Sequence, residues 1–357
     1  MLPRFLIGLL LLTALPGSAR DPYLSRWRSV ADRLITTPVE SYPFNWGEGV
    51  QMIGLTKTYD RTREARYLAY VEKWAARFPL TEVRRILREG LRSAGTQPGY
   101  CGHWSPATAI FYLNQARPNR ERRRVAEAVI EFIRKEAERS DEGALGHWQG
   151  SHQLWVDTLY MACPLYVAFR QPGESATQVI LFAKHLQDER TGLFYHMWDW
   201  QTGQRSPELW GRGNGWVLMS IADTFDGLPA RDPRYAPLRE IAEKMARGLR
   251  ATQDGDGVWH TVLDDPKTYA ECSATCMFVY GLLKLVRLGI LPASERGPAL
   301  RAWKAVNERY VKDGLVTGVS AGTGPGDRAQ YNARPVGVET WGTGAYLMAG
   351  SEADRLP

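Results

Sequence analysis

The sequence predicts an all-α protein whose helical hairpins close into a toroid. Three observations carry that expectation. Apolar residues recur at helical spacing through most of the 357 residues, the pattern of helices that bury one face against another. β-Branched alternation is sparse and no βαβ rhythm is present, which removes the sheet-based classes. One turn is entered three times, as Gly192-Leu-Phe-Tyr-His196, Gly257-Val-Trp-His260-Thr and Gly314-Leu-Val-Thr-Gly318, with a looser copy at residues 143–147. Each copy precedes another helix start, so the recurring unit is helix, Gly-aromatic loop, helix, of about 50 to 65 residues, and about six units fit the chain. Closing them into a ring brings their polar and aromatic loops to one mouth, where a single pocket is expected.

In chain order, residues 1–19 read as a secretory signal: Arg4, an apolar run over residues 5–12, and the small residues Gly17-Ser18-Ala19. The run is too short for a bilayer, which takes about 20 residues. The expected product is therefore exported, periplasmic or extracellular, with residues 20–357 as one domain and no membrane attachment after cleavage. Helices are expected over residues 21–34 and 48–59, then 63–78 and 80–92. A Gly- and Pro-marked loop over 95–104 precedes an apolar helix over 106–115. The basic stretch 119–140 carries Val125, Val129, Phe132 and Ile133 on one side, an amphipathic stripe. The loop 141–151 leads into a helix expected from Leu154, and further helix starts fall at 210–216, 271–276 and 340–344.

The net charge of +6 suits an acidic partner. Much of the excess sits in Arg84, Arg85, Arg88, Arg92 and the run 117–124, which reads as solvated helix surface. No nucleic-acid recognition signature accompanies it. Cys101, Cys163, Cys272 and Cys276 are too scattered for a disulfide scaffold. Cys272 and Cys276 share a helix face without the further ligands of a zinc site. No phosphate loop or nucleophile elbow is present, so neither metal nor cofactor is expected.

The strongest chemical candidate is Asp157, in the opening turn of an apolar helix where Leu159, Cys163 and Val167 repeat every four residues. A carboxylate there either complements the helix dipole or serves as an acid. Its neighbours His147, Trp148, His152, Trp155 and Tyr160 favour the acid, because a sugar pocket needs stacking faces and hydrogen-bonding tips. The heptapeptide Trp210-Gly-Arg-Gly-Asn-Gly-Trp216 puts Arg212 between two indoles, where its fork suits a carboxylate. Its three glycines leave room for backbone or ligand to approach. His196, at the point of its loop that matches His147, is expected on the same wall. His260, Asp264 and Asp265 read as a polar rim.

Together Leu154-Trp-Val-Asp-Thr-Leu-Tyr-Met161, Gly192-Leu-Phe-Tyr-His196-Met-Trp-Asp199, Trp210-Gly-Arg-Gly-Asn-Gly-Trp216, Glu271-Cys-Ser and Gly318-Val-Ser-Ala-Gly-Thr323 resemble the unsaturated rhamnogalacturonyl hydrolases of glycoside hydrolase family 105. The resemblance runs from about Trp27 to Glu352. It implies an (α/α)6 barrel, removal of a 4,5-unsaturated uronic acid from the non-reducing end of pectin-derived oligosaccharides, and no cofactor or metal. It places Asp157 as general acid/base, protonating C4 of the enol ether and activating water for C5. His147, His196, Trp210, Arg212 and Trp216 match substrate-pocket positions, with Trp155, Met161 and Asn214 in the same motifs. Two departures bear on the substrate. The loop Gly99-Tyr-Cys-Gly-His-Trp104 lacks the family's Asp, so that either His103 stands in for it as a hydroxyl contact or the sugar preference differs. In Phe44-Asn-Trp46-Gly-Glu-Gly49, Trp46 replaces a tyrosine. Related readings are an unsaturated glucuronyl hydrolase acting on glycosaminoglycan or algal fragments, an all-α sugar epimerase, and a non-catalytic exported carbohydrate-binding protein.

Overall fold

A computed structural model describes residues 22–356; the expected signal at residues 1–19 lies outside them. The elements in order are α1 (Leu24–Leu34), α2 (Trp46–Thr62), α3 (Ala65–Ala75), α4 (Leu80–Glu89), α5 (Ser105–Ala116), α6 (Arg120–Lys135), β1 (Gln153–Trp155), α7 (Asp157–Ala168), α8 (Pro172–Leu186), β2 (Met197–Asp199), α9 (Gly211–Phe225), α10 (Tyr235–Thr252), α11 (Cys272–Arg287), α12 (Arg296–Arg309), β3 (Val311–Lys312), β4 (Leu315–Val316), β5 (Val319–Ser320), α13 (Arg328–Asn332), β6 (Val336–Gly337) and α14 (Thr340–Ala353).

Helices α2, α5, α7, α9, α11 and α14 pack each against the next, and α14 returns to α2, which closes the ring. The remaining long helices pack outside it, giving the expected (α/α)6 barrel. Composition separates the two layers. Every residue of α9 is buried, as befits a helix of small and apolar residues surrounded on all sides. By contrast α6 buries Val125, Ala126, Val129, Ile130, Phe132 and Ile133 and turns Arg120, Arg123, Arg124 and Arg134 outward.

The repeated turn is a backbone device. Gly143, Gly192, Gly257 and Gly314 all take positive φ, between 73° and 90°, a conformation that side chains resist. Three of these turns are closed by hydrogen bonds, Gly143 N–H to Ser140 O, Gly192 N–H to Asp188 O and Gly257 N–H to Asp254 O. Gly314 follows Asp313, also at positive φ, in the two-residue turn of the β3–β4 hairpin, the left-handed pair such hairpins favour.

One boundary differs from expectation. Leu154 and Trp155 are in β1, which pairs antiparallel with β2 so that Leu154 faces Trp198 and Trp155 faces Met197. The helix begins at Asp157, because the Val156 N–H is already given to His196 O. All four cysteines are buried and free. Among the described residues no helix is long and apolar enough to cross a membrane.

Candidate active site

The N-terminal ends of the inner helices converge on a cavity of about 310 Å³ lined by Trp46, Tyr100, Cys101, His147, Trp155, Asp157, Met161, Arg212, Gly322, Thr323 and Gly324. Asp157 opens α7, and its Oδ2 lies 3.0 Å from His196 Nε2. Burial pushes the Asp157 carboxyl up, but His196, then His147 and Arg212, outweigh it and leave it below its ordinary value. Among the described lining residues Asp157 is the only carboxylate.

His196 is fully buried. It stacks on Trp210 with ring centres 4.1 Å apart, and its Nδ1 lies 2.7 Å from the Tyr331 hydroxyl. Burial lowers its pKa despite the adjacent Asp157, which favours the neutral ring. His147 stacks on Trp155 at 4.2 Å, and its Nδ1 meets Thr158 Oγ1 at 2.9 Å. Burial pulls its pKa down to about 3. The wall thus combines one carboxylate, a neutral imidazole and the indoles of Trp155 and Trp46.

Arg212 lines the cavity, but its fork is engaged. Nη1 donates to Ser320 O at 2.8 Å and to Ser320 Oγ. Nη2 donates to Ala321 O at 2.9 Å and to Thr323 Oγ1 at 3.1 Å. The expected bidentate clamp on a ligand carboxylate is therefore corrected: the guanidinium holds the 320–323 loop, and what it presents to the cavity is charge. Its aromatic neighbours are Trp210 at 4.7 Å and Trp341 at 5.5 Å, not Trp216.

Further expectations are corrected. Trp216 is fully buried and turned into the barrel, stacked on Tyr160 at 5.3 Å. Trp210 and His196 stand behind the cavity wall, since both are buried and support Asp157 from the rear. Asn214 is a brace. Its Oδ1 accepts from Phe194 N–H at 2.7 Å, and its Nδ2 donates to Phe194 O and Trp210 O, tying the 192–196 loop to α9. His103 is fully buried, with Nε2 3.2 Å from Thr96 Oγ1 and burial drawing its pKa down to about 4. Its loop turns so that Tyr100 and Cys101 reach the cavity. The glycines of the heptapeptide serve packing: a Cβ on Gly211 would meet His260 O at 2.5 Å, and one on Gly215 would meet Met277 Sδ at 2.6 Å. His152 faces Glu138, while His260 pairs with Asp254 at 3.1 Å and neither histidine lines the cavity.

Trp46, His147, Trp155, Met161, Arg212 and Asp157 are brought together as expected. Tyr100, Cys101 and Tyr331 were not anticipated. The 322–324 wall had a signal in its Gly-rich motif; Tyr331 had none, since it meets His196 across 135 positions. Among the described residues no group of three or more His, Cys, Asp or Glu side chains is placed to hold a metal ion.

The profile of Glycosyl Hydrolase Family 88 matches residues 28–356. The chain is 26% identical over 336 residues to unsaturated rhamnogalacturonyl hydrolase YesR of Bacillus subtilis, covering 89% of this chain and 92% of that one. It is also 26% identical over 348 residues to an unsaturated 3S-rhamnoglycuronyl hydrolase of Formosa agariphila, covering 88% and 85%. A solved glycoside hydrolase from family 105 of C. acetobutylicum superposes with a TM-score of 0.82 at 26% identity, covering 94% of this chain and all of that one.

Proposed function

The chain belongs to glycosyl hydrolase family 88, and from that premise we propose that it removes a 4,5-unsaturated uronic acid from the non-reducing end of rhamnogalacturonan-derived oligosaccharides by hydrating the enol ether. The observation that supports this reading best is the lone carboxylate in the cavity lining. Ordinary glycosidases place two carboxyl groups across the scissile bond, one to protonate the leaving oxygen and one to attack or activate water. Hydration of an enol ether needs only one.

In that reaction protonated Asp157 gives its proton to C4, and positive charge develops at C5, shared with the ring oxygen. The resulting carboxylate takes a proton from water while the water oxygen bonds to C5. Asp157 is thereby restored to its acid form, and the C5 hemiketal opens. C1 is left as a hemiacetal that expels the neighbouring sugar. His196, His147 and Arg212 hold the Asp157 carboxyl below its ordinary value, which favours the ionised form. A bound uronate, bringing its own negative charge and excluding water, raises that pKa toward the acid form. Neutral His147 accepts or donates to sugar hydroxyls, and Trp155 and Trp46 offer stacking faces.

The neighbouring sugar is read in part by the 99–104 loop, where a phenol from Tyr100 lines the cavity in place of the carboxylate the resemblance called for. Export through residues 1–19 belongs to the same proposal, and a mature protein still beginning at Met1 would contradict it. The activity is tested by incubating the protein with unsaturated disaccharides from several polysaccharides. Loss of the enol ether's ultraviolet absorbance on a rhamnose-linked substrate is the expected result. No loss on any of them would overturn the reading.

A further inference from the structure

Tyr331 neither lines the cavity nor belongs to any of the sequence motifs, yet it is fully buried beside the imidazole that supports Asp157. We propose that Tyr331 is a positioning residue: by donating its hydroxyl proton to His196 Nδ1 it locks the imidazole as the Nε2–H tautomer, and thereby keeps the transferable proton of Asp157 on Oδ1. The proposal rests on the reading of Asp157 as acid/base.

The direction of each hydrogen bond follows from what its partners can do. A neutral imidazole has one N–H donor and one acceptor nitrogen. Nε2 faces Asp157 Oδ2 at 3.0 Å, and an ionised carboxylate only accepts, so Nε2 carries the proton. Nδ1 is then an acceptor, 2.7 Å from the Tyr331 hydroxyl. At the phenol end a backbone hydrogen bond from Gly326 reaches the same oxygen, so the tyrosine proton is free to point at His196. The opposite tautomer would set two donors, Nδ1–H and Gly326 N–H, against that oxygen and leave the tyrosine proton without a partner here. Burial makes such a loss costly.

The geometry is held from several sides. Trp210 stacks on His196 at 4.1 Å and on Tyr331 at 6.0 Å. Helix α13, which carries Tyr331, starts at a reciprocal Asp327–Gln330 cap. Arg328 ties it to Glu208 at 3.0 Å and Asp265 at 3.3 Å, and the Tyr269 hydroxyl donates to Tyr331 O at 3.3 Å.

The consequence lies at Asp157. The other titratable or charged groups acting on it are His147, Arg212, Tyr100 and Cys101. With Nε2–H already on Oδ2, a proton taken up by Asp157 sits on Oδ1. Were the tautomer free to exchange, Asp157 could pass that proton to Nε2 instead, away from the substrate.

The test uses the full chain with ¹⁵N-labelled histidine. In the wild type the His196 ring shifts are expected to show a protonated Nε2 and a bare Nδ1. Tyr331→Phe keeps the aromatic ring against Trp210 and should show a tautomer mixture. Its kcat should fall about tenfold with KM changed by less than about twofold, the scale of one lost hydrogen bond. In a His196→Gln background the same substitution should cost nothing further, because its effect passes through the ring. A wild-type ring protonated at Nδ1 would overturn the proposal, as would an equal loss in both backgrounds or an unchanged kcat for Tyr331→Phe. The ring shifts need no turnover. A chain inactive on every unsaturated disaccharide would therefore refute the hydrolase reading while the tautomer result stood.

Discussion

The inner ring buries charge at both ends, and the two ends solve that problem differently. At the C-terminal ends of α9 and α11, Lys284 is 2% exposed and reaches Asp223 at 2.7 Å and Asp226 at 2.6 Å. The Tyr280 hydroxyl also donates to Asp223. Burial would lower the Lys284 pKa, but the two carboxylates raise it overall. At the N-terminal ends, Asp157 is held by a neutral imidazole and opens on a cavity. A buried charge matched by opposite charges has no reason to exchange its proton. One matched by a neutral donor beside a cavity is poised to do so.

The largest expected effect falls on the open end. Asp157→Asn keeps the shape but cannot relay a proton, so kcat should drop about 10² to 10⁴-fold while the thermal midpoint stays near wild type. A near-normal kcat would remove the distinction between the two ends. At the closed end Lys284→Met strands the buried carboxylate of Asp223 beside the more exposed Asp226, and the unfolding free energy should fall by about 3–5 kcal/mol. Urea denaturation measures that loss, and the folded fraction should retain the wild-type kcat. An equal loss of kcat would tie the two ends together.

Arg212→Lys keeps the charge but cannot reproduce the four contacts that hold residues 320–323. kcat/KM should fall about tenfold, with faster proteolysis within the released loop. An unchanged value would show that the loop needs no clamp. The smallest effect concerns pH. His103 and His147 have pKa values of about 4 and about 3 in the fold, below the ordinary value near 6.5. Stability they contribute is present above that ordinary value, and it is lost as pH falls toward the folded values, where the unfolded chain alone takes up protons. The urea midpoint should therefore decline steadily below about pH 6.5. KM should show no step from His103 near neutrality, because the ring never reaches the cavity.

The fold was legible because its punctuation is local. Glycines at positive φ recur at the turns, and Asp157 announces itself at a helix start with aromatic neighbours. What was not legible is direction. A helix buried on every side, as α9 is, gives no stripe to say which residue faces the cavity, so the sequence pairs Arg212 with Trp216 where the fold pairs it with Trp341. The same loop offered both Tyr100 and His103, and only its three-dimensional turn selects Tyr100. Tyr331 sits in a five-residue helix whose partner lies in a distant loop, a contact no local pattern encodes. The fork of Arg212 is legible in its residue type, but its acceptors are not, since they come from residues 320–323, more than a hundred positions away.

The most direct test is turnover of an unsaturated uronyl disaccharide in D₂O, followed by nuclear magnetic resonance and ultraviolet absorbance, with wild type and Asp157→Asn side by side. Wild type should place deuterium at C4 of the released uronate as the absorbance disappears, and Asp157→Asn should do neither. Release of the second sugar with the C4–C5 double bond intact would show attack at the anomeric carbon and contradict enol-ether hydration by Asp157.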